Sequence, residues 1–232
     1  MLLLALSCRP AAAAAMDDEQ RYLFDSRGVF TIPGALSLSH VDELNQVFTE
    51  VEESAAPEYG GAAGRMGGDA LHWGRAYRDL LDMPRISPVL EELVGNHRES
   101  PSDIPSFRID HINVHNRCKG ATHPQFDGFF QGHNLHGGGL GSSGNIGGGG
   151  SQFYRYQDGM FFNGLTVITY ELKDTHCNGG GFCCVPGTHT GHMKLPQEWG
   201  DMSNPNNLDA EWLYKVPASA GDAVVFTEAL TQ

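Results

Sequence analysis

Histidine and cysteine are the side chains of this sequence best suited to chemistry, and their spacing limits what that chemistry can be. His189 and His192 stand three apart, with Cys183, Cys184 and His176 nearby, a set that could be offered to zinc. A structural zinc site needs four such ligands around one point. Here Pro186-Gly187 puts a tight turn between the cysteines and the histidines, which weighs against it. The five cysteines form no C-x-x-C pair and are odd in number. Reduced thiols of an intracellular protein account for them, and a cytoplasmic location is the expectation. Cys183 and Cys184 are adjacent in an apolar run, so on a strand they would point to opposite faces. Serine hydrolase chemistry lacks its G-x-S-x-G elbow.

The elements that must position these residues are legible as patterns. Asp17 to Arg27 reads as a helix opened by acids, which suit the positive end of its dipole, and closed by Gly28. Val29 to Ile32 is a β-branched and aromatic strand stopped by Pro33-Gly34. Ser39 is placed to cap a second helix, with Asp42 three residues on and Val41, Leu44, Val47, Phe48 and Val51 at helical spacing. Pro84 to Gly95 reads as a short amphipathic helix. Phe107 to His115 alternates, placing His111, Asn113 and His115 on one face and Arg108, Asp110, Ile112 and Val114 on the other. His111 and His115 would there either line a pocket or complete a core. Gly164 to Leu172 is the strongest strand pattern, with shorter ones at Gly181 to Val185 and Ala223 to Thr227. Ala55 to Gly68 and the glycine-rich run from Gly137 to Gly150 read as loops. The latter has no strand–G-x-G-x-x-G–helix context for phosphate. Helices first and strands after predict an α+β fold with an antiparallel core.

With 232 residues the chain is long enough for one sizeable core, and a formal net charge of −13 argues against non-specific nucleic-acid binding. No stretch approaches the roughly 20 apolar residues that cross a bilayer. Met1 to Ala15 reads either as a short leader or as an over-extended start, and residues 16–232 as the domain. Trp73, Trp199 and Trp212 are expected to pack rather than to stack on ligands. Composition does not reveal the oligomeric state.

Four segments, in order, resemble the phytanoyl-CoA dioxygenase family of Fe(II)- and 2-oxoglutarate-dependent oxygenases. They are DEQRYLFDSRGVFTIPGALSLSHVDELN, LLDMPRISPVLEELVG, GLTVITYELKDTHCNGGGFCCVPGTHTGH and GDAVVFTEALT. The resemblance implies a double-stranded β-helix, a cupin-like jelly roll, with N-terminal helices packed on it. It also implies iron in the barrel mouth on a two-histidine, one-carboxylate face, with 2-oxoglutarate as cosubstrate and a small organic or acyl molecule hydroxylated at a C–H bond.

By that resemblance His136 is the proximal iron ligand, with His133 as a fallback; His123 and Asp127 have the wrong spacing for His-x-Asp. Gly138 stands where the family carries the carboxylate, so either a chloride ion, as in related halogenases, or another carboxylate such as Asp158 would complete the set. Arg108 and Tyr154 are candidate cosubstrate contacts, the alternative for Arg108 being to balance an acid on an outer face. His189 would be a loop residue near the entrance. Gln232 stands where the distal histidine is expected, and the sequence given ends there. The last core strands are therefore expected to be missing and the chain, as it stands, inactive. A non-catalytic jelly-roll binding module and an incomplete fragment are the alternatives.

Overall fold

The computed structural model describes residues 15–54, 68–95, 106–114, 135, 137, 152–175, 181–193, 195–201 and 204–232. Helix α1, Asp18–Arg27, begins at a capping box. The Asp17 carboxylate accepts from the Gln20 N–H at 2.8 Å, and the Gln20 side chain accepts from the Asp17 N–H at 3.0 Å. Gly28, with φ +78°, ends it in the left-handed conformation. The chain then enters β1, Val29–Ile32, and α2, Leu38–Ser54. The cap of α2 is Ser37 rather than Ser39: the Ser37 hydroxyl accepts from the His40 N–H at 3.2 Å, and Ser39 bonds only the Ser37 hydroxyl. The helix therefore starts two residues earlier than the Ser39–Asp42 spacing suggests. Helix α3 spans Arg75–Asp79 and α4 spans Ser87–Val94. Gly95 closes α4 in an extended conformation, φ −60°, where a β-carbon would strike the Glu91 carbonyl.

Three small sheets follow, all antiparallel. Strands β2, Tyr154–Gln157, and β3, Met160–Asn163, form a hairpin. Strand β4, Thr166–Tyr170, pairs with β7, Ala223–Thr227, and β7 pairs on its other side with β1. Strand β5, Cys183–Cys184, pairs with β6, Tyr214–Lys215. The short helices α5, Gln197–Gly200, and α6, Pro205–Leu208, lie between β5 and β6 in sequence.

Every residue of β7 is buried, because each face of the central sheet is covered. Phe30, Val225 and Ile168 stand opposite one another and pack with Phe24 of α1, Val89 and Leu93 of α4 and Phe161 of β3. Their neighbours in register, Val29, Phe226 and Val167, face the other way and pack with Cys184, Val216 and Leu230. A third cluster, Leu36, Val41, Leu44, Ala70, Ala76 and Tyr77, holds α2 and α3 together. The expected α+β class is what the chain adopts: helices and antiparallel sheets around a shared core. Among the described residues no helix is long and apolar enough to cross a membrane.

Phe107 to Val114 departs from expectation. It runs extended with a single bridge at Asn113 and forms no named strand. Its alternation does not sort burial, since Arg108 to His111 are all exposed, and only the end of the segment, Ile112 and Val114, packs against the third cluster. His111 therefore serves neither a pocket nor a core; its Nδ1 meets the Asp110 carboxylate at 2.7 Å.

Candidate functional site

After β7 the chain turns sharply, and a buried polar network sets the turn. The Thr227 hydroxyl donates to Asn163 Oδ1 at 2.6 Å and accepts from the Ala229 N–H at 3.1 Å. Asn163 in turn donates to the Thr166 hydroxyl at 2.5 Å. Thr227 is fully buried, so each of these bonds replaces one that water can no longer supply.

The turn delivers Thr231 between two other segments. Thr231 bridges Gly137 on one side and Val185 on the other. Its carbonyl accepts from the Val185 N–H at 2.8 Å, and its own N–H donates to the Thr188 hydroxyl at 2.8 Å. Gly137 reaches Thr231 with φ +80°, and a β-carbon there would collide with the Leu230 carbonyl oxygen. Only glycine allows so close a backbone approach. Leu135, two residues before, is buried and donates its N–H to the Gly200 carbonyl at 2.9 Å. Gln232 is buried beside this junction, and its Oε1 has no hydrogen-bond partner among the described residues.

The Pro186-Gly187-Thr188-His189 loop is pinned to α1. His189 is buried, and its Nε2–H donates to the Asp25 carbonyl at 3.0 Å. Burial lowers its pKa, with the Asp25 carbonyl opposing, so the ring is held neutral. Its Nδ1 is buried with no partner among the described residues, close above Gly28, where a β-carbon would stand 2.9 Å from that nitrogen. Tyr154 meets the His189 ring edge to face at 4.6 Å, and its hydroxyl donates to the Asp25 carboxylate at 2.7 Å. Burial first, and then Asp25, raises the Tyr154 phenol far above its ordinary range. Asp25 thus holds Tyr154 with its side chain and His189 with its backbone.

The other expected site residues fall as follows. Arg108 is exposed and makes no ion pair among the described residues. Asp158 occupies the exposed tip of the β2–β3 hairpin with φ +55°, accepting from the Gln157 amide at 3.1 Å. His136, His133, His123, Asp127, His115, His176 and Gly138 lie outside the described residues. Among the described residues no group of three or more His, Cys, Asp and Glu could hold a metal ion, so Cys183, Cys184, His189 and His192 do not assemble around zinc. The two cysteines do point to opposite faces: Cys184 joins the Val29 cluster and Cys183 packs at the Leu135 cluster. Burial pushes the Cys184 thiol up to about 12, which leaves it unreactive. Sequence reasoning missed Asp25, Asn163, Thr188 and Thr227. Of these only Thr188 carried a signal, a hydroxyl beside Gly187 that can bond its own turn.

No family model and no curated protein sequence matches the chain. Solved structures do. Among them are forms of HygX from Streptomyces hygroscopicus. The form with nickel and 2-oxoglutarate bound has a TM-score of 0.66 at 22% identity, covering 94% of this chain and 80% of HygX. Its fold is similar to that of HygX. The iron-bound form of HygX matches with a TM-score of 0.66 at 22% identity, covering 93% and 78%. The form of HygX with nickel, 2-oxoglutarate and hygromycin B bound has a TM-score of 0.59 at 20% identity, covering 93% and 79%.

Proposed function

We propose that the chain is an Fe(II)- and 2-oxoglutarate-dependent dioxygenase of the phytanoyl-CoA dioxygenase type, with a jelly-roll core, that hydroxylates a C–H bond of a small molecule. The observation that carries this reading is the double bridging of Thr231. It brings together Gly137, Val185 and Thr231, which lie in three segments that the sequence resemblance assigns to the metal region. Similarity in fold to HygX, whose structures hold iron in one form and nickel with 2-oxoglutarate in another, supports the same reading.

The residues present suit a ferrous ion in kind. His136 would supply an imidazole. The buried, unpartnered Oε1 of Gln232 is a hard oxygen donor, acceptable to Fe(II) though weaker than a second histidine. Gly138 contributes no carboxylate, which leaves a coordination position to an exogenous ligand such as chloride, or to Asp158. Bound iron would serve to activate dioxygen, the oxidant of the C–H bond, with 2-oxoglutarate as the co-reductant. The chain supplies placement and dryness. Thr227 and Asn163 fix the turn that carries Gln232; Tyr154 and His189 lock the Pro186-Gly187 loop to α1. Arg108 and Tyr154 stay the candidate contacts for the cosubstrate, of which Arg108 would offer a guanidinium to its far carboxylate.

The departures at Gly138 and Gln232 favour one alternative, a jelly-roll binding module that no longer holds iron. Anaerobic titration with Fe(II) and 2-oxoglutarate separates the two. The oxygenase reading expects a weak visible charge-transfer band that His136→Ala abolishes. A full-length, folded protein that gives no band at saturating metal would leave the binding module standing.

A further inference from the structure

We infer that Trp199 and Trp212 form a platform for an organic cation beside the candidate site. Read as the place where the substrate's charged nitrogen rests, the platform depends on the oxygenase assignment; as a binding site it does not. The two indoles are parallel within 6°, with centroids 4.9 Å apart. Trp212 is half-buried and packs on the Leu135, Val185 and Leu213 cluster. Trp199 is 37% exposed even with Trp212 stacked against it. An indole left open in this way offers both apolar area and a negative π-face.

The platform is rigidly held and close to the segment that carries His136. The buried Asn207 donates to the Glu198 carbonyl at 2.6 Å and the Asp201 carbonyl at 2.8 Å, clamping the turn on either side of Trp199. Gly200, the next residue after Trp199, accepts from the Leu135 N–H at 2.9 Å. Through Gly200 the turn bearing Trp199 is thus tied directly to the Leu135 backbone.

Charge decides the ligand class. Glu198 and Glu211 each immediately precede one of the two tryptophans; both are exposed, and neither forms an ion pair among the described residues. The whole chain carries −13. A cation over an indole face is attracted by the ring and by both carboxylates, whereas an anionic substrate such as a CoA thioester is repelled. A neutral ring could stack on the indole but would gain nothing from the acids.

The test is calorimetric titration of the full chain, free of iron, with choline and with its neutral isostere 3,3-dimethyl-1-butanol at moderate salt. Saturable binding of choline is expected, at least tenfold tighter than the alcohol. Trp199→Ala should weaken it tenfold or more, Trp199→Phe much less, and the Glu198→Gln, Glu211→Gln pair by several-fold, an effect that shrinks as salt rises. No saturable choline binding, equal binding of the alcohol, or an unchanged affinity in a folded Trp199→Ala protein would each overturn the inference. The charge-transfer band is read separately on the wild-type chain, so loss of either result leaves the other interpretable.

Discussion

His189 is a buried base with one nitrogen satisfied by the Asp25 carbonyl and the other facing Gly28 without a partner. Burial holds its pKa below the ordinary 6.5. The unfolded chain therefore binds more protons than the folded one between the ordinary value and the lowered one, and stability rises with pH across that window. The contribution is complete above about pH 6.5 and is lost as pH falls towards the lowered value. In denaturant melts at pH 7.5, 6.5 and 5.5 the wild-type chain should lose stability progressively. His189→Gln, which keeps a donor for Asp25 but cannot charge, should be less stable at pH 7.5 by about 1–2 kcal/mol. It should also show a flatter dependence on pH, so that the two proteins converge under acid. Identical slopes would show that the acid sensitivity arises elsewhere.

At the scale of elements, periodicity revealed α1, β1, α2, α4, β4 and β7, because each pairs a strong apolar pattern with a chemical stop such as Gly28 or Pro33-Gly34. The β2–β3 hairpin carries a fainter signal, alternating Tyr154 and Tyr156 before Asp158-Gly159 and the adjacent Phe161 and Phe162 after it. Both turn residues have positive φ, +55° and +80°, the geometry that makes Asp-Gly a favoured two-residue hairpin connection. Phe107 to Val114 departs in the opposite sense: it alternates without pairing along a strand, and only Ile112 and Val114 at its end are packed. The site was less legible than the fold. Contacts such as Asp25 with Tyr154, or Thr227 with Asn163, join residues far apart in the chain and leave no period to read.

The hairpin tip also separates two roles for Asp158. Asn adopts left-handed backbone at least as readily as Asp, so Asp158→Asn should change stability by no more than about 0.5 kcal/mol, while Asp158→Ala should cost about 1–2 kcal/mol. If the residue serves only the turn, Fe(II) affinity is unchanged in both variants. A loss of affinity in the stable Asn variant would assign the carboxylate to the metal.

At the scale of the whole molecule, Phe24 is where the layers meet. It is fully buried in α1 and meets Phe30 of β1 at 6.0 Å, Tyr154 of β2 at 5.8 Å and Phe161 of β3 at 5.7 Å, each ring edge-on. The same helix carries Asp25, so the packing that secures Phe24 also secures the anchor of His189 and Tyr154. Phe24→Ala should cost about 3–5 kcal/mol, the range for emptying a buried aromatic site. Its reach can be read from the tryptophans, because Trp73 lies in the α2–α3 cluster and the Trp199–Trp212 stack lies at the Leu135 cluster, on different parts of the fold. If one core unites these parts, tryptophan fluorescence and far-ultraviolet circular dichroism report a single coincident transition in the wild-type chain, and Phe24→Ala moves both by the same amount. Two transitions, of which the substitution shifts only one, would mean that the region around α2 and α3 folds independently of the sheets. The helical layer would then be a separate unit resting on the candidate site rather than part of the structure that holds it.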